Sequence, residues 1–281
     1  MRFVCPSFSD IYAPNVEVKN FPDGDSYVRV PDAKEGAGKD VFLFTRLYPN
    51  QDASIFQTIL ALRAIKAAKP KSITLVVPYL PYSRQDKVFK DGEVKSAEIL
   101  CEILAREGAG KLVTFDCHFL KKEGEFTYGG LKIKNISLNK KIIEKAREIA
   151  GGEIEIMSPD EGANYLVSDV GGTSMKKVRG DYVKGNEAYR EIKEMKMSAD
   201  VLGKSVLIID DMISTGSTML KAVENVKGGG AKKVICAAAH GFFLKDSLAK
   251  LNASGEVFVS DTIPSPVSAV SIKPVLDGLF K

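Results

Sequence analysis

Short apolar runs rich in β-branched residues recur along this chain at 41–45, 73–77, 111–115, 206–209 and 234–238. Runs of that length, bounded by polar or turn residues, read as strands buried on both faces, because continuous apolar sequence leaves no face for water. Between them lie longer stretches, at 53–68, 96–107, 139–150 and 218–227, whose apolar residues fall at helical spacing. Strand alternating with helix closes by packing helices over a largely parallel sheet, so the sequence predicts α/β architecture. With 281 residues there is chain enough for two such domains, each with a core of its own.

The two halves echo each other. Gly108-Ala109-Gly110-Lys111-Leu112-Val113 leads to His118, and Gly230-Ala231-Lys232-Lys233-Val234-Ile235 leads to His240, at a constant offset. These are the chain's two histidines. Each copy closes a helix on glycine, runs a strand and places a histidine at the strand's C-terminal end. The pattern points to tandem duplication of one α/β unit, with a junction expected between residues 129 and 137. That gives an N-terminal domain over 1–136 and a C-terminal domain over 137–281.

Composition narrows the function by exclusion. Forty basic and 36 acidic residues, interspersed, leave a net charge of +4, too weak a field to call for nucleic acid. No apolar run approaches the roughly 18 residues of a membrane helix. The opening Met1-Arg2-Phe3-Val4-Cys5-Pro6 lacks the apolar core and cleavage site of a secretory signal. Cys5, Cys101, Cys117 and Cys236 stand far apart, without CxxC or metal-type spacing, as reduced thiols do. A cytoplasmic protein with neither nucleic-acid nor membrane partner is the expectation.

The strongest local signal is Val206-Leu207-Ile208-Ile209-Asp210-Asp211-Met212-Ile213-Ser214-Thr215-Gly216-Ser217-Thr218, followed by a helix. A buried strand delivers two carboxylates at its C-terminal edge, where open α/β sheets bind ligands. Small residues then turn the chain into a helix N-terminus. Its N–H groups, its dipole and the hydroxyls of Ser214, Thr215, Ser217 and Thr218 suit a phosphate. Acid beside a phosphate cradle makes sense when the carboxylates meet sugar hydroxyls or Mg²⁺, as a phosphorylated ribose requires. The loop resembles that of type I phosphoribosyltransferases and of the phosphoribosyl-diphosphate synthases, which leaves two enzyme classes open.

The N-terminal half separates them. Tyr82-Ser83-Arg84-Gln85-Asp86 follows the run at 73–77; arginine offers a planar fork for phosphate or a face for an aromatic ring, and glutamine can read an adenine edge. Phe21-Pro22-Asp23-Gly24-Asp25 supplies an aromatic for base stacking and two acids on a turn. No Gly-x-x-x-x-Gly-Lys-[Ser/Thr] occurs, so any ATP is held without a Walker A loop. Residues 168–196 show no apolar period, carry Gly171, Gly172 and Gly180, and are rich in lysine and arginine. A long irregular segment of that kind is the best lid in the chain.

Together and in this order these segments resemble the ribose-phosphate pyrophosphokinase family, in its archaeal-type form, over nearly the whole chain. The resemblance implies two tandem type I phosphoribosyltransferase-like domains, each a mostly parallel sheet flanked by helices. It implies transfer of the pyrophosphoryl group of ATP to O1 of ribose 5-phosphate, giving 5-phosphoribosyl 1-diphosphate and AMP for nucleotide biosynthesis. Phe21, Asp23, Gly24, Asp25, Arg84, Gln85 and Asp86 would then hold ATP, and Asp210, Asp211 and 214–218 ribose 5-phosphate. His118 and Asp160, in Ser158-Pro159-Asp160-Glu161-Gly162-Ala163, match the family's Mg²⁺ contacts, and His240 is assigned a structural role.

On the lid the family needs Lys-x-Arg: Lys177 as a catalytic residue beside the transferring phosphoryl, and Arg179 bridging ATP and sugar phosphate. Lys176 is an alternative register in the same basic run. The family also builds each ATP site with the Phe-Pro-Asp-Gly turn of a neighbouring subunit, so a homo-oligomer with a shared ATP site is expected. Family members often carry glutamate where Asp25 stands, and many carry aspartate where Ser214 stands; its hydroxyl can still donate to phosphate. Two other readings stay open: a non-catalytic regulatory homologue, and a phosphoribosyltransferase.

Overall fold

The computed structural model describes the backbone of residues 1–182, 190–196 and 199–280, and the side chains of residues 1–176 and 199–280. The chain divides into two compact units, Met1–Ser137 and Leu138–Lys281.

In the first unit, β1 (Arg2–Val4), β4 (Asp40–Phe44), β5 (Ser72–Val76), β6 (Lys111–Phe115) and β8 (Leu131–Ile136) lie parallel in that order, and β7 (Gly124–Tyr128) pairs antiparallel with β8 at one edge. A separate antiparallel ribbon joins β2 (Glu17–Asn20) to β3 (Ser26–Arg29). Two helices cover the sheet, and their buried residues repeat one spacing. They are Thr58, Ala61, Leu62 and Ile65 in α1 (Gln51–Ala67), and Ala97, Leu100, Cys101 and Leu104 in α2 (Ser96–Glu107). Steps of three and four residues keep these side chains on one helical face. That face packs on Leu43, Leu75, Leu112 and Ile133 of the sheet.

The second unit repeats the plan. Its sheet runs β10 (Thr173–Ser174), β9 (Glu155–Ser158), β13 (Ser205–Ile213), β14 (Lys233–Gly241), β15 (Glu256–Ser260), β16 (Ser268–Val270), parallel throughout. The helices are α3 (Asn139–Ala150), α4 (Ser217–Gly228), α5 (Ser247–Ser254) and α6 (Lys273–Leu279). Met219, Ala222, Val223 and Val226 of α4 show the same spacing and join Ile208, Cys236 and Val259 in the core. Parallel ladders in both units carry the C-terminal strand ends, and so the loops that follow them, to one edge of each sheet.

The reading of 168–196 as one irregular segment is corrected. Residues 173–174 join the main sheet, and β11 (Lys176–Tyr182) pairs antiparallel with β12 (Arg190–Lys196). A two-stranded ribbon needs no continuous apolar face. Register shifts at Val178/Arg179 and Arg179/Tyr182 further break the alternation that would have revealed it.

The echo between the halves is also unequal at its ends. His118 lies beyond β6, half-buried in a turn, whereas His240 is inside β14 and 1% exposed. All four cysteines are free and buried. Burial pushes the thiol of Cys5 up to about 11 and those of Cys101 and Cys236 up to about 12.

Candidate active site

Strand β13 runs further than its apolar stretch. Its ladder with β14 continues through Asp210↔Ala238 and Met212↔His240 to Ile213↔Gly241, because β14 stays in register past the acids. Alternation along a strand sends Asp210 and Asp211 to opposite faces. Asp211 is buried, 4% exposed, and Asp210 is partly accessible. Burial first, and then the charge and hydrogen bond of Asp211, push the Asp210 carboxyl well above the usual carboxylate range. Asp160 adds to that push, while the Asp211 N–H, donating to Asp210 Oδ1 at 2.9 Å, opposes it.

Asp160 comes from the neighbouring strand. The parallel register of β9 on β13, Val206↔Glu155 to Ile208↔Met157, brings it to the same end of the sheet. It caps the short helical turn Glu161–Leu166, with Oδ1 accepting from Gly162 N at 2.8 Å. Three carboxylates meet at one sheet edge, close enough that Asp211 and Asp160 both disfavour the charge on Asp210. Crowding of that kind marks a ligand site, because each charge costs the others until a partner arrives.

The loop after β13 supplies the complementary chemistry. Gly216 takes φ +72°, a left-handed conformation, and opens α4 with no side-chain cap. A serine or aspartate there would bond the first N–H groups; without one, an oxyanion can do so, helped by the dipole. Ser214 and Thr218 are half-buried, Thr215 and Ser217 exposed, and Thr215 Oγ1 lies 3.3 Å from Ser217 Oγ. The Ser214 carbonyl oxygen accepts from Leu244 N at 3.0 Å, which fixes the loop from behind. Asp210, Asp211 and residues 214–218 therefore stand together.

In the first unit the nucleotide candidates fall on two exposed surfaces. Phe21–Asp25 is the turn between β2 and β3, and all five residues are exposed. Phe21 N donates to Asp25 O at 2.8 Å, Gly24 N to Phe21 O at 2.9 Å, and Asp25 N to Asp23 Oδ1 at 3.1 Å. The Phe21 ring, 51% exposed, meets Tyr27 edge-on at 5.9 Å. The second surface is the turn after β5. Arg84 is exposed there, Gln85 and Asp86 are half-buried, and the Asp86 carbonyl accepts from the Tyr128 hydroxyl at 3.3 Å.

Sequence reasoning missed what orders that turn. Glu93 Oε2 accepts from Phe89 N at 2.8 Å, Lys90 N at 3.0 Å and Gln85 Nε2 at 3.3 Å. The Phe89 N–H above all holds the Glu93 carboxyl below its usual range. Tyr82, at φ +62°, donates its hydroxyl to Asp52 at the start of α1. The signal available was Asp91-Gly92-Glu93, a turn followed by a carboxylate just ahead of a helix.

Two residues before His118, Asp116 takes φ +36° and is pinned by Ser137 Oγ donating to Asp116 Oδ1 at 3.0 Å. The Cys117 N–H donates to Asn135 Oδ1 at 2.9 Å. The side chains of Lys177 and Arg179 lie outside the described residues. Lys176 is exposed, next to fully buried Met175.

Among the described residues no three His, Cys, Asp or Glu side chains form a cage for a bare metal ion. Of the two residues expected to contact a metal, Asp160 offers carboxylate oxygens at the sheet edge beside Asp210. That fits Mg²⁺, which is commonly held by one or two carboxylates together with substrate phosphates.

Comparison with known proteins bears on both units. Residues 7–108 match the N-terminal domain of ribose phosphate pyrophosphokinase, and residues 135–269 match the phosphoribosyl transferase domain. The chain is 35% identical to the ribose-phosphate pyrophosphokinase of Sulfurisphaera tokodaii, over 93% of this chain and 90% of that one. It is 36% identical to that of Thermococcus kodakarensis, over 93% and 90%. It is 35% identical to that of Pyrococcus furiosus, over 95% and 92%. The fold matches the crystal structure of phosphoribosylpyrophosphate synthetase from Mycobacterium smegmatis with a TM-score of 0.81, at 24% identity over 99% of this chain and 96% of that one.

Proposed function

The chain belongs to the ribose-phosphate pyrophosphokinase family, and from that membership we propose how its own residues carry the family's reaction. The enzyme transfers the pyrophosphoryl group of ATP to ribose 5-phosphate for nucleotide biosynthesis. O1 of the ribose attacks the β-phosphorus, the bond to the oxygen bridging the α- and β-phosphates breaks, and AMP leaves carrying that oxygen. Such transfers ask a protein for positioning and charge balance more than for covalent chemistry.

Ribose 5-phosphate lies in the second unit. The N–H groups and hydroxyls of Ser214, Thr215, Gly216, Ser217 and Thr218 hold its phosphate, and Asp210 and Asp211 take the ribose hydroxyls. ATP is held by Arg84, Gln85 and Asp86, with Phe21, Asp23, Gly24 and Asp25 reaching it from a neighbouring subunit of a homo-oligomer. The exposure of that whole turn supports the second part. His118 and Asp160 are the residues that would hold Mg²⁺, which when bound would supply neutralisation of the polyphosphate. Lys177 and Arg179, on β11, balance the charge that develops on the transferring group. Their arrival also excludes water that would otherwise consume ATP. Among the described residues no helix is long and apolar enough to cross a membrane, which accords with a cytoplasmic location.

One observation carries the substrate assignment. Within a few residues, two carboxylates lie near the C-terminal end of β13 and a helix N-terminus without a side-chain cap begins, joined by left-handed Gly216. Acid for hydroxyls and N–H groups for phosphate, that close together, describe a phosphorylated sugar. The test is incubation with ATP, Mg²⁺ and ribose 5-phosphate, with AMP and phosphoribosyl diphosphate formed in equal amounts. Binding of ribose 5-phosphate without AMP would mark a non-catalytic homologue. Consumption of phosphoribosyl diphosphate with a nucleobase would mark a phosphoribosyltransferase.

A further inference from the structure

The second unit holds a histidine that the reaction above does not use. His240 is 1% exposed, and its Nδ1 lies 2.9 Å from Thr262 Oγ1. Thr262 Oγ1 lies 2.7 Å from the Ala239 carbonyl oxygen. Ser260 Oγ reaches the same carbonyl at 2.6 Å. Ser260 Oγ also lies 2.9 Å from Thr262 Oγ1, so His240, Thr262, Ser260 and the Ala239 carbonyl form one buried hydrogen-bonded cluster.

The residues after His240 brace the phosphate loop. Phe242 N and Phe243 N donate to Ile213 O at 2.9 and 3.3 Å, and Leu244 N donates to Ser214 O at 3.0 Å. Ser247 Oγ reaches that same Ser214 oxygen at 3.5 Å. Phe243 and Lys245 sit at φ +48° and +60°, left-handed conformations rare for residues with a side chain. Strained backbone of that kind persists only where its surroundings over-determine it. On one side the determinant is the loop itself; on the other it is His240, still in register with β13 at Met212.

We infer that His240 is a positioning residue for the sugar-phosphate site. Through Thr262 and Ser260 it anchors the strained segment 241–247. That segment sets the carbonyls of Ile213 and Ser214, and through them the direction of the N–H groups of residues 214–218. The inference rests on reading that loop as the phosphate cradle, and it adds a residue that acts through the loop without touching substrate. Loss of the anchor therefore falls on ribose 5-phosphate and spares ATP.

The test compares the parent with His240→Ala, His240→Asn and Thr262→Val. It measures ribose 5-phosphate binding by calorimetry, KM for each substrate, kcat, and thermal melting. His240→Ala is expected to weaken ribose 5-phosphate binding on the order of tenfold, with KM for ATP within about twofold of the parent. His240→Asn restores binding to within about threefold, because its amide, which carries both a donor and an acceptor, can bond Thr262 where Nδ1 did. Thr262→Val reproduces the alanine effect and carries the test if His240→Ala does not fold. Parent-like binding in a folded His240→Ala or Thr262→Val protein would overturn the inference. So would an asparagine variant as weak as alanine, or equal losses for both substrates. A parent that binds ribose 5-phosphate but forms no AMP refutes the function proposed above, while the binding comparison still decides the role of His240.

Discussion

Gly216 lies so close to Ser247 that a Cβ built on it would stand 3.0 Å from the Cβ of the serine. The same residue holds φ +72°. Gly216→Ala therefore meets a left-handed penalty of about 1–2 kcal/mol together with a clash against α5. Urea unfolding should show a loss of at least that size, and calorimetry should show weaker ribose 5-phosphate binding with ATP affinity kept. Parent-like values in both would mean that the loop does not depend on this contact.

Asp210 makes stability depend on pH. Its folded carboxyl binds a proton more tightly than in the unfolded chain, because burial and then Asp211 and Asp160 disfavour its charge. Its contribution is therefore full below the ordinary carboxylate range and is lost as pH rises through the raised value. Asp210→Asn removes that loss. In the absence of substrate and Mg²⁺ the variant should melt higher than the parent at pH 8, with a smaller gain at pH 5, while binding ribose 5-phosphate more weakly. A variant that melts lower at pH 8 would contradict this account.

Lys177 is expected to act in the transition state, so Lys177→Ala should lower kcat on the order of 10²-fold or more with little change in KM. Lys176 is exposed, and Lys176→Ala should stay within a few-fold of the parent. Steady-state kinetics on the pair reads the register directly. A crippled Lys176→Ala beside a nearly normal Lys177→Ala shifts the alignment by one residue.

If the exposed turn Phe21–Asp25 completes a neighbour's ATP site, two inactive proteins can repair each other. Asp23→Ala mixed with Lys177→Ala, after subunit exchange, should recover part of the parent activity, since some sites draw both intact halves. Sedimentation at assay concentration gives the independent check. A fully active monomer would rule out the shared site.

His118→Ala should fold normally, since the residue is only half-buried, and should need more Mg²⁺ for half-maximal rate. Titrating Mg²⁺ at fixed ATP measures this. An unchanged requirement would return His118 to a structural role at the end of β6.

How much was legible in the sequence depended on how local the causes were. The helices α2 and α3 could be read to the residue, because Gly108 and Gly151 stop them and their buried faces follow a helical step. Strand β13 was read short, since the acids at 210 and 211 hide a ladder whose continuation is set by β14. The phosphate loop was legible because its parts are contiguous. The His240–Thr262 bond was not: its partners lie 22 residues apart, and only the pairing of β14 with β15 brings them together. Glu93 was hidden differently, since a loop carboxylate looks like any other until its donors are counted.

The four buried cysteines have a practical meaning. Thiol reagents attack the thiolate, and the burial that raises Cys5, Cys101 and Cys236 leaves almost none at neutral pH. Cys117, 3% exposed, is shielded by the packing around it. The folded molecule is thus silent to maleimides as it stands. A cysteine introduced on the exposed turn, as in Asp23→Cys, would be the one that takes a fluorophore, so the surroundings of that turn could be followed without first stripping the native thiols.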